Sequence, residues 1–134
     1  MLCKRSLAVA LLYGFSCGNA SAENWVKSFQ YGNGSVEYYD SDSIKKAVFD
    51  NVDGFDDDME VWVMKDNSNA TDVVDAKTKE KTRYYVNCAK KLTAIAEYYN
   101  VNENGYINSA NKARKNSDLN YAVADPDLIA AVCN

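Results

Sequence analysis

Residues 79–88 read KEKTRYYVNC, and their alternation decides the fold class. Lys79, Lys81, Arg83 and Tyr85 fall on one face of an extended chain, while Thr82, Tyr84, Val86 and Cys88 fall on the other. A period of two predicts a strand, and the second set is the one expected to face a core. The pattern repeats outward in both directions. Residues 91–101 (KLTAIAEYYNV) and 59–65 (MEVWVMK) read as neighbouring strands, and 46–50 (KAVFD), 35–40 (SVEYYD) and 24–30 (NWVKSFQ) as further ones. In the first of these, Trp25 and Phe29 are expected on one face and Val26 on the other. Asn33-Gly34, between 24–30 and 35–40, is a strong hairpin signal. Short polar loops join the segments. The expected fold is α+β, an antiparallel meander sheet of about five to six strands packed by a C-terminal helix.

The helix is read from ADPDLIAAVCN (124–134). Asp125 suits the N-cap, Pro126 the first helical position and Asp127 the first turn, and Leu128, Ile129, Val132 and Cys133 make one apolar stripe. Residues 102–124 are polar and Asn-rich and read as a long loop that touches down at Leu119 and Tyr121, or as a loop that hides a short helix at INSANKARK (107–115).

Compartment follows from the first residues. Lys4 and Arg5 precede the apolar run LAVALLYGF (7–15), and Ala20, Ser21 and Ala22 give a small-residue cleavage pattern. Residues 1–22 are therefore expected to be a signal peptide cut between Ala22 and Glu23, with 23–134 forming a single domain. Cys17 offers a competing lipid-modified N-terminus, which Gly14, Phe15 and Ser16 match poorly. Beyond the leader only Cys88 and Cys133 remain, and in an oxidising compartment they are expected to pair. Closing that loop stabilises the fold by about 4 kcal/mol on the chain-entropy estimate.

Charge and residue inventory narrow the function classes. The formal net charge is −4, and loss of Lys4 and Arg5 with the leader takes it to −6. An acidic chain is a poor partner for nucleic acid or anionic lipid. The chain has no histidine, which removes the usual general base, the usual catalytic triad and the ordinary zinc ligand set. No nucleophile elbow or phosphate-binding glycine loop is present. The expectation is a protein that is not an enzyme and has no cofactor, metal site or transmembrane span.

Three further features bear on function. EYYDSDSI (37–44) brings together tyrosines, carboxylates and hydroxyls, but it reads best as a strand running into a turn, with Tyr38 facing the core and Asp40 to Ser43 bonding nearby backbone. DNVDGFDDDME (50–60) concentrates carboxylates without EF-hand spacing and reads as a solvated acidic loop. Paired tyrosines at 38/39, 84/85 and 98/99 each put one ring on either side of a strand, so the outward rings serve either packing or an aromatic binding surface.

VEYYDSDSI (36–44), VWVM (61–64), RYYVNC (83–88), LTAIAEYY (92–99) and the closing DLIAAVCN (127–134), in this order behind a signal peptide, resemble the surface-adhesin protein E family. The resemblance implies one antiparallel sheet tied by a disulfide to a C-terminal helix. It also implies a bacterial surface protein that dimerises, binds host vitronectin, laminin and plasminogen, and binds haem. The family's basic binding stretch corresponds to DAKTKEKTR (75–83), so the resemblance makes Lys77, Lys79, Lys81 and Arg83 the ligand-binding positions. The family's adjacent Lys-Arg pair has no counterpart at the same offset from Cys88. Two function classes follow: a secreted or surface adhesin, and a periplasmic or envelope accessory protein that binds a protein or a small ligand.

Overall fold

The computed structural model describes residues 23–49, 59–71 and 77–134. The expected signal peptide (1–22) with Cys17, and most of the acidic 50–60 stretch, lie outside the described residues. Among those described there are eight strands: β1 (Trp25–Gln30), β2 (Val36–Asp40), β3 (Lys45–Lys46), β4 (Met59–Asp66), β5 (Lys79–Asn87), β6 (Leu92–Val101), β7 (Ile107–Lys112) and β8 (Tyr121–Val123). One helix follows, α1 (Pro126–Cys133).

All pairings are antiparallel, in the order β1-β2-β4-β5-β6-β7, so the chain is a meander as expected. The strand count exceeds five to six because 102–124, which touches down at the buried Leu119 as expected, is only partly loop. It forms β7 and β8, which share one side of β6: β7 pairs with Glu97–Val101 and β8 with Leu92–Ala94. INSANK in β7 is exposed at every position, so no apolar alternation marks it, and its partner β6 supplies the order instead. No helix forms at 107–115. On the far side of the sheet β2 and β3 share β4 in the same manner, and a short 3-10 turn (Ser41–Ser43) breaks the lane between them.

That turn is the EYYDSDSI corner. Asp40 accepts from the backbone N–H groups of Asn24 (2.9 Å) and Asp42 (3.0 Å), and the Ser43 hydroxyl donates to the Asp40 carbonyl (2.7 Å) while accepting from Trp62 N–H (2.8 Å). The carboxylate and hydroxyl hold three strands together, so this stretch is structural. The core-facing ring, however, is Tyr39 rather than Tyr38. Tyr39 is registered against Val63, which is buried on the helix side, and the alternation puts Tyr38 on the opposite face with Met64. A bulge between Lys27 and Phe29 likewise separates Trp25 and Phe29, which a regular strand would keep together.

The core has two parts. On the helix side Val61, Val63, Val86, Leu128 and Val132 pack together, flanked by Tyr84, Cys88, Ile129 and Cys133. Asp125 caps α1 by accepting from Asp127 N–H (2.8 Å), Pro126 opens the first turn, and the Cys88–Cys133 disulfide fastens the last turn to the end of β5. The opposite face, expected to be polar along β5, carries a second cluster of Ala47, Tyr85, Ala94, Ala96 and Leu119. Tyr85 is buried there, its ring against Phe49 and its hydroxyl donating to the Val48 carbonyl (3.3 Å). No described helix is long and apolar enough to cross a membrane.

Candidate functional site

The face of the sheet away from α1 carries Lys79, Lys81 and Arg83 from β5, as the alternation predicts. The register sets their neighbours. Lys79 lies opposite Val101, which lies opposite Ile107; Lys81 lies opposite Tyr99; Arg83 lies between Trp62 and Glu97. The first two rows, with Lys77 and the β6–β7 hairpin, enclose a cleft of about 800 Å³. Its lining includes Lys77, Lys79, Lys81, Tyr99, Val101 and Ile107, with Glu103 also on the wall.

Lys77 reaches the cleft through an unusual backbone. Its φ is 64°, in the left-handed region that a non-glycine residue occupies only when surrounding structure holds it there. The holder is Asn67, which is completely buried. Its carbonyl oxygen accepts from Lys77 N–H (3.1 Å), its side-chain oxygen accepts from the Ser35 hydroxyl (2.8 Å), and its amide donates to Thr78 Oγ1 (3.1 Å) and Glu80 Oε2 (3.0 Å). Nothing in the sequence singled out Asn67, since its role depends on groups far along the chain.

The cleft's aromatic wall is also fixed. Tyr99 donates to Glu97 (2.5 Å), and its ring stacks on Trp62 with centroids 6.1 Å apart. The indole of Trp25 lies 5.9 Å from Lys81 Nζ, a cation–π distance. The tyrosine pair at 98/99 was visible in the sequence, but which ring met the lysines required the register.

Arg83 stands apart from the three lysines. Its Nε and Nη2 reach Glu97 Oε1 at 2.8 and 2.7 Å, its Nη1 reaches Glu60 at 3.4 Å, and its guanidinium lies over the Tyr85 ring. These side chains retain only 9–14% exposure. Burial pushes the Glu97 carboxyl up, but the bonds from Tyr99 and Arg83 outweigh it and hold the acid below its ordinary value. Arg83 is thus an internal counter-ion rather than a free ligand-binding group. Lys77, Lys79 and Lys81 have no carboxylate within ion-pair distance among the described residues. Asp66, directly opposite Lys79 on β4, instead accepts from the backbone and hydroxyl of Ser68 (2.9 and 2.5 Å).

No family model, curated protein or solved structure matches this chain. The haem implied by the resemblance fits this cleft poorly: the chain lacks histidine, no methionine or cysteine lines the wall, and the Tyr99 phenol is committed to Glu97. No group of three or more acidic or cysteine side chains suited to a metal occurs among the described residues.

Proposed function

We propose that this chain is an exported, non-catalytic bacterial binding protein of the surface-adhesin protein E type, which docks acidic segments of host matrix or serum proteins on its lysine-lined cleft. Vitronectin, laminin and plasminogen are the partners that the resemblance suggests. The observation that carries the proposal is the convergence of Lys77, Lys79 and Lys81 on one open cleft, unneutralised by any described carboxylate, in a chain whose net charge is negative. A local cation cluster on an acidic protein gives orientation to an encounter that the overall charge would not favour. The two interior carboxylates of this face, Glu60 and Glu97, are matched by Arg83 together with Lys45, which suits a scaffold better than acid–base work.

Charge reversal at Lys79 and Lys81, measured by surface plasmon resonance on immobilised vitronectin, laminin and plasminogen, is expected to weaken binding at least about tenfold. Unchanged binding to all three would remove the cleft as the docking site. Antibody labelling of intact cells tests the surface location, and labelling only after the outer membrane is opened would overturn it.

A further inference from the structure

The lysine cleft has a polarity gradient that an acidic protein segment does not use. Its cations lie on β5 and the turn before it, whereas its apolar groups lie on the next two strands. Lys79, Val101 and Ile107 form one row across β5, β6 and β7, and Lys81 and Tyr99 form the row beside it. Ile107 keeps 59% of its surface exposed, although it is a large aliphatic side chain on an edge strand. Three apolar side chains facing a cleft with ammonium groups along one border match a ligand with an anionic head and a hydrocarbon body.

We propose that this cleft binds a single-chain amphipathic carboxylate, a free fatty-acid anion, lying across the strands with its head on β5 and its tail toward β7. Lys79 and Lys81 are two residues apart on one face, about 7 Å along the strand, so a carboxylate placed between them reaches both ammonium groups. Lys77, its backbone held by Asn67, closes the head end. The tail lies against Tyr99, Val101 and Ile107. The hairpin that forms the far wall is braced, since Asn102 Oδ1 accepts from the N–H groups of Asn104 (2.9 Å) and Tyr106 (3.0 Å). A cleft of about 800 Å³ is within the range of roughly 300–1,000 Å³ usual for small-molecule sites. A free monomer is preferred to a bilayer because the net charge of −6 on residues 23–134 opposes approach to an anionic membrane. The proposal does not depend on the adhesin reading, because the two use different ligands and either can fail alone.

The test uses the molecule's own fluorophores. Each of the chain's two tryptophans touches a residue of the cleft wall, Trp25 through Lys81 and Trp62 by stacking on Tyr99. Titration of the secreted chain with a terminally brominated undecanoate, below its micelle concentration, is expected to quench tryptophan emission saturably with one-site behaviour. Lys79→Gln with Lys81→Gln is expected to weaken the apparent Kd about tenfold or more, and Ile107→Ser to weaken it severalfold, with the melting temperature unchanged in both. A trimethylammonium amphiphile of the same chain length should not bind, and inorganic sulfate should not compete. Equal binding of the cationic amphiphile, insensitivity to the lysine changes, absence of saturable quenching by the free acid, or quenching only when the acid is carried in vesicles would each overturn the proposal.

Discussion

Glu97 is clamped from both sides: Tyr99 Oη donates to one carboxylate oxygen at 2.5 Å while Arg83 Nη2 donates to the other at 2.7 Å. A side chain that would be a surface acid on an ordinary strand thus links the interior cation of this sheet face to the aromatic wall of the lysine cleft. Arg83→Ala would leave Glu60 and Glu97 facing each other without their shared counter-ion. The expected cost is about 3 kcal/mol, the lower end for breaking a buried ion pair, because the group keeps some solvent contact. Urea unfolding checks this, with Lys79→Gln as the control, which should stay within about 0.5 kcal/mol of the parent.

The same clamp sets an acid limb. Glu97 is lowered in the folded chain, so its contribution is present above the unfolded carboxylate range and is lost as pH falls through its folded value. In Glu97→Gln the stability profile should flatten over that interval, although the variant is less stable at neutral pH. Equal slopes for variant and parent would show that Glu97 is not coupled to folding.

An alkaline limb is expected from Tyr31. Burial, and then the nearby Glu37 carboxylate, push its phenol up to about 12, and its hydroxyl donates to Glu37 at 3.1 Å. A raised folded value means that stability is fully present below about 10, the ordinary tyrosine value, and declines as pH rises toward 12. Spectrophotometric titration should show phenols ionising late in the folded chain. Tyr31→Phe should remove the latest of them and reduce the alkaline decline in stability.

Gly34 joins the β1–β2 hairpin to a second loop. Its φ is 97°, and a Cβ there would run into the Asn69 carbonyl oxygen, while Thr71 N–H donates to the Asn33 carbonyl at 2.8 Å. Gly34→Ala is expected to cost about 1–3 kcal/mol, combining left-handed strain with the backbone clash. A thermal melt measures it. Gly32→Ala is the control, since nothing lies within 4 Å of a Cβ at that position.

How legible the molecule is in its sequence depends on where the information sits. The strands from 59 to 101, the helix cap at Asp125 and the cysteine pairing follow from local alternation, capping chemistry and composition, all of which act over a few residues. What the sequence hides depends on register. Tyr39 replaces Tyr38 in the core because its partner is Val63, and INSANK becomes a strand because β6 presents a free edge to it. Lys79 and Lys81 are visible as a face of β5, but Arg83 shares that face and differs only in meeting Glu60 and Glu97 across the sheet. Asn67 and Tyr99 shape the cleft through contacts that no sequence period encodes.

The disulfide and the helix it holds make the last expectation. Cys88 and Cys133 are 45 residues apart and tie α1, only eight residues long, to the end of β5. A helix of two turns is unstable alone, so its order comes from Leu128 and Val132 packing on the sheet and from this tether. Replacing both cysteines by alanine is expected to cost about 2–5 kcal/mol. The loss should be local first: amides of α1 should exchange with solvent faster than those of β4 and β5 under native conditions, because releasing the helix leaves the strand pairings of the meander in place. Uniformly increased exchange across α1, β4 and β5 would instead show that the helix and sheet unfold as one unit.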